Sequence, residues 1–222
     1  TVSQLSARFC ADDVIMDYSG GTGILTSRLK RAMKGNCPYI IIVDSSPKFL
    51  RLALEKFCTD DKIAFRLIPY CTISKRLMPL EDCIDESIWN RGLDGIVSTN
   101  AVHLYYDLDQ TVSSWRNLLK QNGNLYIQSG NIKNMDAKDF WIIDETVEHI
   151  NQAAIDIVNY QDSFGSIRSF IEDKKHMDLH DILRKKYFLP VRRLEYYTTC
   201  LKNNGFKVDS VDWHSINAQV DE

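Results

Sequence analysis

The chain has 222 residues, 44% of them hydrophobic and 26% charged, with 27 basic against 30 acidic side chains and a formal net charge of −3. That length favours one domain with an elaboration over two full ones, and the charge balance argues against a nucleic-acid binder, whose affinity would rest on many Lys and Arg contacts to phosphates. No apolar run approaches the roughly 20 residues of a bilayer span and no secretory pattern opens the chain, so a cytoplasmic protein without a membrane partner is expected. Residues 14–16 form a short apolar run that ends in Asp17. Ser19-Gly20-Gly21-Thr22-Gly23 follows, and apolar residues then recur at Ile24, Leu25, Leu29 and Met33 with helical spacing. This reads as strand, glycine-rich turn and helix, with Gly35-Asn36 as the stop.

Residues 39–43 are too uniformly apolar for a half-wet strand and predict a buried parallel one, ending in Asp44. Ser45-Ser46-Pro47 then supplies a cap and a first-turn proline for a helix through Phe57. A third strand is expected at 63–68, an irregular acidic stretch at 70–92, and a fourth strand at 93–98. Helical spacing returns over 108–119, Asn122-Gly123 turns the chain, and 125–127 makes a fifth strand. Alternating strands and helices predict a three-layer α/β sandwich around a mostly parallel sheet. After Gly130 the stretches 140–160 and 166–187 are helix-like and charged, which fits an inserted helical lobe. A helix over 191–203 and a sixth strand starting at Gly205-Phe206-Lys207-Val208 return to the core. The division is therefore 1–130 as core, 131–190 as lobe or cap, and 191–222 as the last helix and sixth strand.

A glycine-rich turn lets backbone approach a ligand where a Cβ would clash, and an acid ending the next strand suits a ribose with two free hydroxyls. That pattern is compatible with a dinucleotide-dependent oxidoreductase. Two details argue otherwise: Asp17 would sit beside phosphate charge, and the turn lacks Gly-x-Gly-x-x-Gly spacing. Asp17-Tyr18-Ser19-Gly20-Gly21-Thr22-Gly23 instead resembles the first motif of class I S-adenosylmethionine-dependent methyltransferases. Val43-Asp44-Ser45-Ser46-Pro47 is similar to that family's second segment. Leu93-Asp94-Gly95-Ile96-Val97-Ser98-Thr99-Asn100-Ala101-Val102-His103 is similar to its fourth-strand motif, and Leu118-Leu119-Lys120-Gln121-Asn122-Gly123 to its Leu-Lys-Pro-Gly-Gly turn.

The resemblance, which runs from about Val14 to Val211 with 131–190 outside it, implies a Rossmann-like sheet into which the helical lobe is inserted after the fifth strand, and S-adenosylmethionine as cofactor. It places the cofactor's methionine end on Asp17, Ser19, Gly20, Gly21 and Gly23, the ribose on Asp44 beside Ser45, and a floor on Asn100 and Ala101. Ser19 stands where the family carries its first glycine. The acid that many members place after the third strand is absent from Pro69-Tyr70-Cys71-Thr72, so adenine recognition must rest on other groups. The activity implied is methyl transfer to a small-molecule or carrier-bound acyl acceptor. The alternative within this frame is a catalytically inactive cofactor-binding module acting as a scaffold.

His103 follows the fourth strand where the family faces cofactor and acceptor, and an imidazole there could take a proton from the acceptor. Tyr18 offers either an aromatic face to a sulfonium or a core ring beneath the turn. His176 and His180 share one helical face, but no third ligand accompanies them; six scattered cysteines show no metal spacing, so no metal site is expected. Lys174, Lys175, Arg184, Lys185, Lys186, Arg192 and Arg193 form a basic stretch that is either an exposed face or a dock for an anionic acceptor. The block from Asn100 to Thr111 also resembles carbon-methyltransferase domains of polyketide assembly lines. A seventh strand would have to come from 217–222, whose Gln219, Asp221 and Glu222 make a poor buried strand. The chain is therefore expected to be part of a longer polypeptide and not self-sufficient.

Overall fold

Burial on both faces explains strands that carry no polar side. In the computed structural model, which describes residues 1–73, 76–130, 132–133, 143–187 and 191–214, one sheet contains β1 (Val14–Tyr18), β2 (Tyr39–Asp44), β3 (Ile63–Leu67), β4 (Leu93–Thr99) and β5 (Leu119–Gln128). Their order is β3-β2-β1-β4-β5, with every pairing parallel. The helices are α1 (Val2–Ser6), α2 (Ile24–Met33), α3 (Pro47–Phe57), α4 (Glu86–Arg91), α5 (Leu108–Leu118), α6 (Ile143–Tyr160), α7 (Arg168–Glu172), α8 (Lys174–Tyr187) and α9 (Leu194–Asn203).

Side chains of β2 alternate between the two layers, as a period of two requires. Ile40 and Ile42 pack with Leu5, Leu29, Leu50 and Phe57 on the face of α1, α2 and α3. Ile41 and Val43 pack with Val112, Trp115, Leu118 and Tyr197 on the face of α5 and α9. Helix starts follow local chemistry. Ser46 Oγ accepts from the Phe49 amide at 3.3 Å with Pro47 opening α3, and Asp107 accepts from the Gln110 amide at 3.0 Å to open α5. Lys34 and Gly35, at φ 46° and 90°, end α2 in left-handed backbone.

The chain departs from expectation in four places. β5 starts directly at Leu119, and residues 120–123 bulge opposite Asp94 between the pairs Leu93↔Leu119 and Gly95↔Asn124. Asp94 pins that bulge: its carboxylate takes Lys120 Nζ at 2.5 Å, the Val14 amide at 2.9 Å and Arg91 Nη1 at 3.1 Å. The helix-like stretch 166–187 is not continuous: it breaks at Asp173, whose carboxylate accepts from the Lys175 and His176 amides at 2.9 and 3.3 Å and so starts α8. α9 begins only at Leu194, because Arg192–Arg193 pair in parallel with Ile132–Lys133. The sixth strand expected at Gly205-Phe206-Lys207-Val208 is not formed: among the described residues, 206–214 join no ladder. Phe206 instead packs on the α5–α9 layer. A strand needs a neighbour, and the residues proposed to lie between it and β5, 217–222, are outside the described ones. The same holds for 131, 134–142 and 188–190 of the expected lobe, which otherwise comprises α6, α7 and α8.

Candidate functional site

Parallel pairing brings the carboxyl ends of β1, β2 and β4 to one edge, where Asp17, Asp44 and Asn100 stand. Asp17 is only 2% exposed. Thr26 Oγ1 donates to its Oδ2 at 2.8 Å, while Oδ1 is buried with no partner among the described residues. Burial pushes its carboxyl up from 3.8 to about 6, against the pull of the Thr26 bonds.

The turn lies directly on that carboxylate. A Cβ on Gly20 would fall 2.9 Å from Asp17 Cγ and 2.9 Å from Ile42 Cγ2, so only glycine fits. Gly23, at φ 72°, opens α2 with its Cα against Phe57; a Cβ there would lie 2.6 Å from the ring. Gly21, at φ 57°, has nothing within 4 Å of its Cβ position and borders open space. Backbone bonds hold the turn: Gly20 N to Val43 O at 3.1 Å and Gly23 N to Gly20 O at 2.9 Å. Asp44 ties it to β2, accepting from the Gly21 amide at 2.9 Å and the Ser46 amide at 2.8 Å. Each carboxylate oxygen keeps a second lone pair.

Ser19 takes φ 58° and Asn100 φ 53°, both left-handed. Ser19 Oγ lies 2.8 Å from the Tyr105 hydroxyl, which also lies 3.0 Å from Ser98 Oγ on β4. Tyr18 is a core ring, edge-on to Trp115 at 5.0 Å and to Tyr105 at 5.7 Å between centroids. Asn100 is exposed and its amide donates to Gln128 O at 2.7 Å; Ala101 is buried and Ser45 exposed. His103, on a single 3-10 turn (Val102–Leu104), places Nδ1 2.9 Å from Ser129 Oγ at the end of β5. Burial lowers its pKa, which favours the neutral ring.

The short ladder of Ile132–Lys133 with Arg192–Arg193 reaches the same edge. Arg192 pairs in register with Ile132, donates from Nη1 to Tyr105 O at 3.1 Å and lies 4.6 Å over the Tyr196 ring. Arg184 pairs with Glu148 and Asp181 inside the lobe, so two charges of the basic stretch are already committed. His176 packs 5.4 Å from Phe170, and among the described residues no three His, Cys, Asp or Glu side chains converge on a metal position. No described helix is long and apolar enough to cross a membrane. A cleft of about 560 Å³ beside α5, lined by Glu81, Asp82, Asp107 and Asp109 among others, shares no residue with the turn, Asp44 or His103.

Sequence reasoning missed Tyr105, Ser98 and Ser129. Their roles come from contacts across 86, 7 and 26 residues, which no local pattern announces. It also treated Asp44 as a ligand-binding acid only, whereas the carboxylate organises the turn as well.

No protein-family model matches the sequence, and no curated protein matches it. Solved structures do match. The complex between the Haloferax volcanii Trm112 methyltransferase activator and a methyltransferase aligns over 92% of this chain and 66% of that one, at 14% identity and a TM-score of 0.54. The YcgJ protein from Bacillus subtilis aligns over 91% and 66%, at 15% identity and a TM-score of 0.53. Haemonchus contortus phosphoethanolamine N-methyltransferase 2, solved with phosphomonomethylethanolamine and S-adenosylhomocysteine, aligns over 92% and 35%, at 15% identity and 0.53. The chain thus spans about two thirds of the first two and about one third of the last. The likeness is one of fold: a Rossmann-like α/β sheet shared with methyltransferase structures.

Proposed function

We propose that the edge formed by β1, β2 and β4 holds S-adenosylmethionine, and that the chain transfers its methyl group to a small-molecule or carrier-bound acyl acceptor. The observation that carries this reading is the turn from Ser19 to Gly23, laid on Asp17 and tied to Asp44, with Gly21 bordering open space. The residues fit such a cofactor. Gly20 leaves no room for a side chain, Asp17 Oδ1 is a buried acceptor without a partner among the described residues, and Asp44 retains lone pairs for two hydroxyls.

When bound, S-adenosylmethionine supplies a methyl group already activated on a sulfonium, so the protein's task is alignment, exclusion of water and removal of a proton. Asp17 and the turn backbone would hold the methionine end, Asp44 the ribose, and Asn100 and Ala101 the floor. His103 would be the catalytic base. If Nδ1–H donates to Ser129, Nε2 carries the free lone pair, and a pKa lowered by burial keeps that pair available near neutral pH. The lobe of α6, α7 and α8 would cover the acceptor, since its root at Ile132 and Arg192 meets Tyr105 beside the turn.

Transfer of a labelled methyl group to a metabolite panel, with and without carrier-linked thioesters, tests the activity. Transfer that depends on His103 supports it. Cofactor binding without turnover on any acceptor would favour a catalytically inactive cofactor-binding module.

A further inference from the structure

Ser19 presents a conformational problem. Its φ of 58° lies in left-handed backbone, where an L residue with a Cβ is strained and glycine is not. Its neighbours Gly20 and Gly21 carry the amide bonds to Val43 O and Asp44 Oδ2 that seat the turn on β2. Relaxation of Ser19 would therefore move both amides.

One group opposes that relaxation. The Tyr105 hydroxyl sits between Ser19 Oγ at 2.8 Å and Ser98 Oγ at 3.0 Å. Burial lifts the Tyr105 phenol well above its ordinary pKa, so it keeps its proton and has one hydrogen to donate and lone pairs to accept. Both ends of the tyrosine are anchored. The ring lies edge-on to Tyr18 and Trp115, the latter fully buried, and Arg192 holds the Tyr105 carbonyl.

We infer that Tyr105 is a positioning residue for the turn: its hydroxyl holds Ser19 in the left-handed state that glycine would adopt unaided. This deepens the proposed cofactor site and rests on that reading only for its consequence in binding. The conformational effect itself needs no ligand.

A double-mutant cycle separates the two. Amide hydrogen exchange of Gly20 and Gly21, read against amides of α5, would be compared in the wild type, Tyr105→Phe, Ser19→Gly and the double variant. Phenylalanine keeps the ring against Trp115. Tyr105→Phe is expected to speed exchange at both glycines about tenfold, equivalent to about 1.4 kcal/mol. In the Ser19→Gly background the same change should have less than a twofold effect, because glycine does not need the hydroxyl. Should Tyr105→Phe fold poorly, Ser19→Ala removes the other end of the bond, keeps the strain, and should raise exchange to the same extent. Exchange within twofold of wild type in both Tyr105→Phe and Ser19→Ala would overturn the inference. So would an equal effect of Tyr105→Phe in the wild-type and Ser19→Gly backgrounds, which would assign its role to Ser98 or the core. The affinity for S-adenosylhomocysteine, measured on the same four proteins, should follow the exchange. Faster exchange with unchanged affinity would leave the clamp standing and remove the turn from the cofactor site.

Discussion

Replacing Asp17 by asparagine should stabilise the protein at alkaline pH and not at acid pH. The buried carboxyl has its pKa raised from 3.8 to about 6 by desolvation, with one oxygen unpaired among the described residues. A native pKa above the unfolded one means that the folded state binds this proton more tightly. The associated stability is fully present below the unfolded value near 4 and is lost as pH rises through about 6. At about 1.36 kcal/mol per pH unit, the ionised carboxylate is worse off in the fold by about 3 kcal/mol above pH 6. Asparagine removes that titration and can still accept from Thr26. Its amide would occupy the unpartnered position, which costs about 1–2 kcal/mol at any pH. The net expectation is a gain of about 1–2 kcal/mol at pH 8 and a loss of no more than about 1 kcal/mol at pH 4.5, where about 1 kcal/mol of the carboxylate's penalty is already present. Urea denaturation followed by tryptophan fluorescence at pH 4.5, 6 and 8 reads both. An identical difference between variant and wild type at pH 4.5 and 8 would instead mean that Asp17 ionises as it does in the unfolded chain.

Gly23→Ala should lower stability by more than about 2 kcal/mol, since left-handed strain is joined by a Cβ 2.6 Å from Phe57, whereas Gly21→Ala meets strain alone and should lower it by about 1 kcal/mol; thermal denaturation compares them. Asp94→Ala should destabilise by about 1–3 kcal/mol at pH 7, through loss of the bonds that pin the bulge. Burial alone would raise the Asp94 carboxyl, but Lys120, the Val14 amide and Arg91 hold it below 3.8. Its contribution is therefore present above pH 4 and lost as pH falls through its lowered pKa, so the difference between wild type and variant should shrink as urea melts are taken below pH 4. His103→Gln should leave S-adenosylhomocysteine affinity within about twofold while slowing turnover about 10²-fold or more, measured on whichever acceptor the panel yields.

The parts of the fold that were legible in the sequence are those where a repeating pattern meets a terminator. The run 39–43 is apolar at every position and ends in Asp44, and β2 is buried on both faces accordingly. The Ile24–Met33 spacing gave α2 at both ends. The bulge at 120–123 was read as a simple turn, because Lys120 is placed by Asp94 on another strand and not by its neighbours. Phe206 and Val208 suggested a strand, but among the described residues no strand pairs with them, and propensity alone makes no ladder. At the candidate site the glycines declared the turn through steric need. Tyr105 was hidden, since a tyrosine next to Tyr106 in a loop carries no sign of the two serines it reaches.

Recognition of S-adenosylmethionine by this edge of the sheet is measured by calorimetric titration with S-adenosylhomocysteine and with NAD. Titration should give one thioether site per chain, no binding of NAD, and a loss of about 1.5–3 kcal/mol, more than tenfold in affinity, when Asp44 becomes alanine. Binding of NAD in place of the thioether, or an Asp44→Ala affinity within about twofold of wild type, roughly 0.4 kcal/mol, would contradict it.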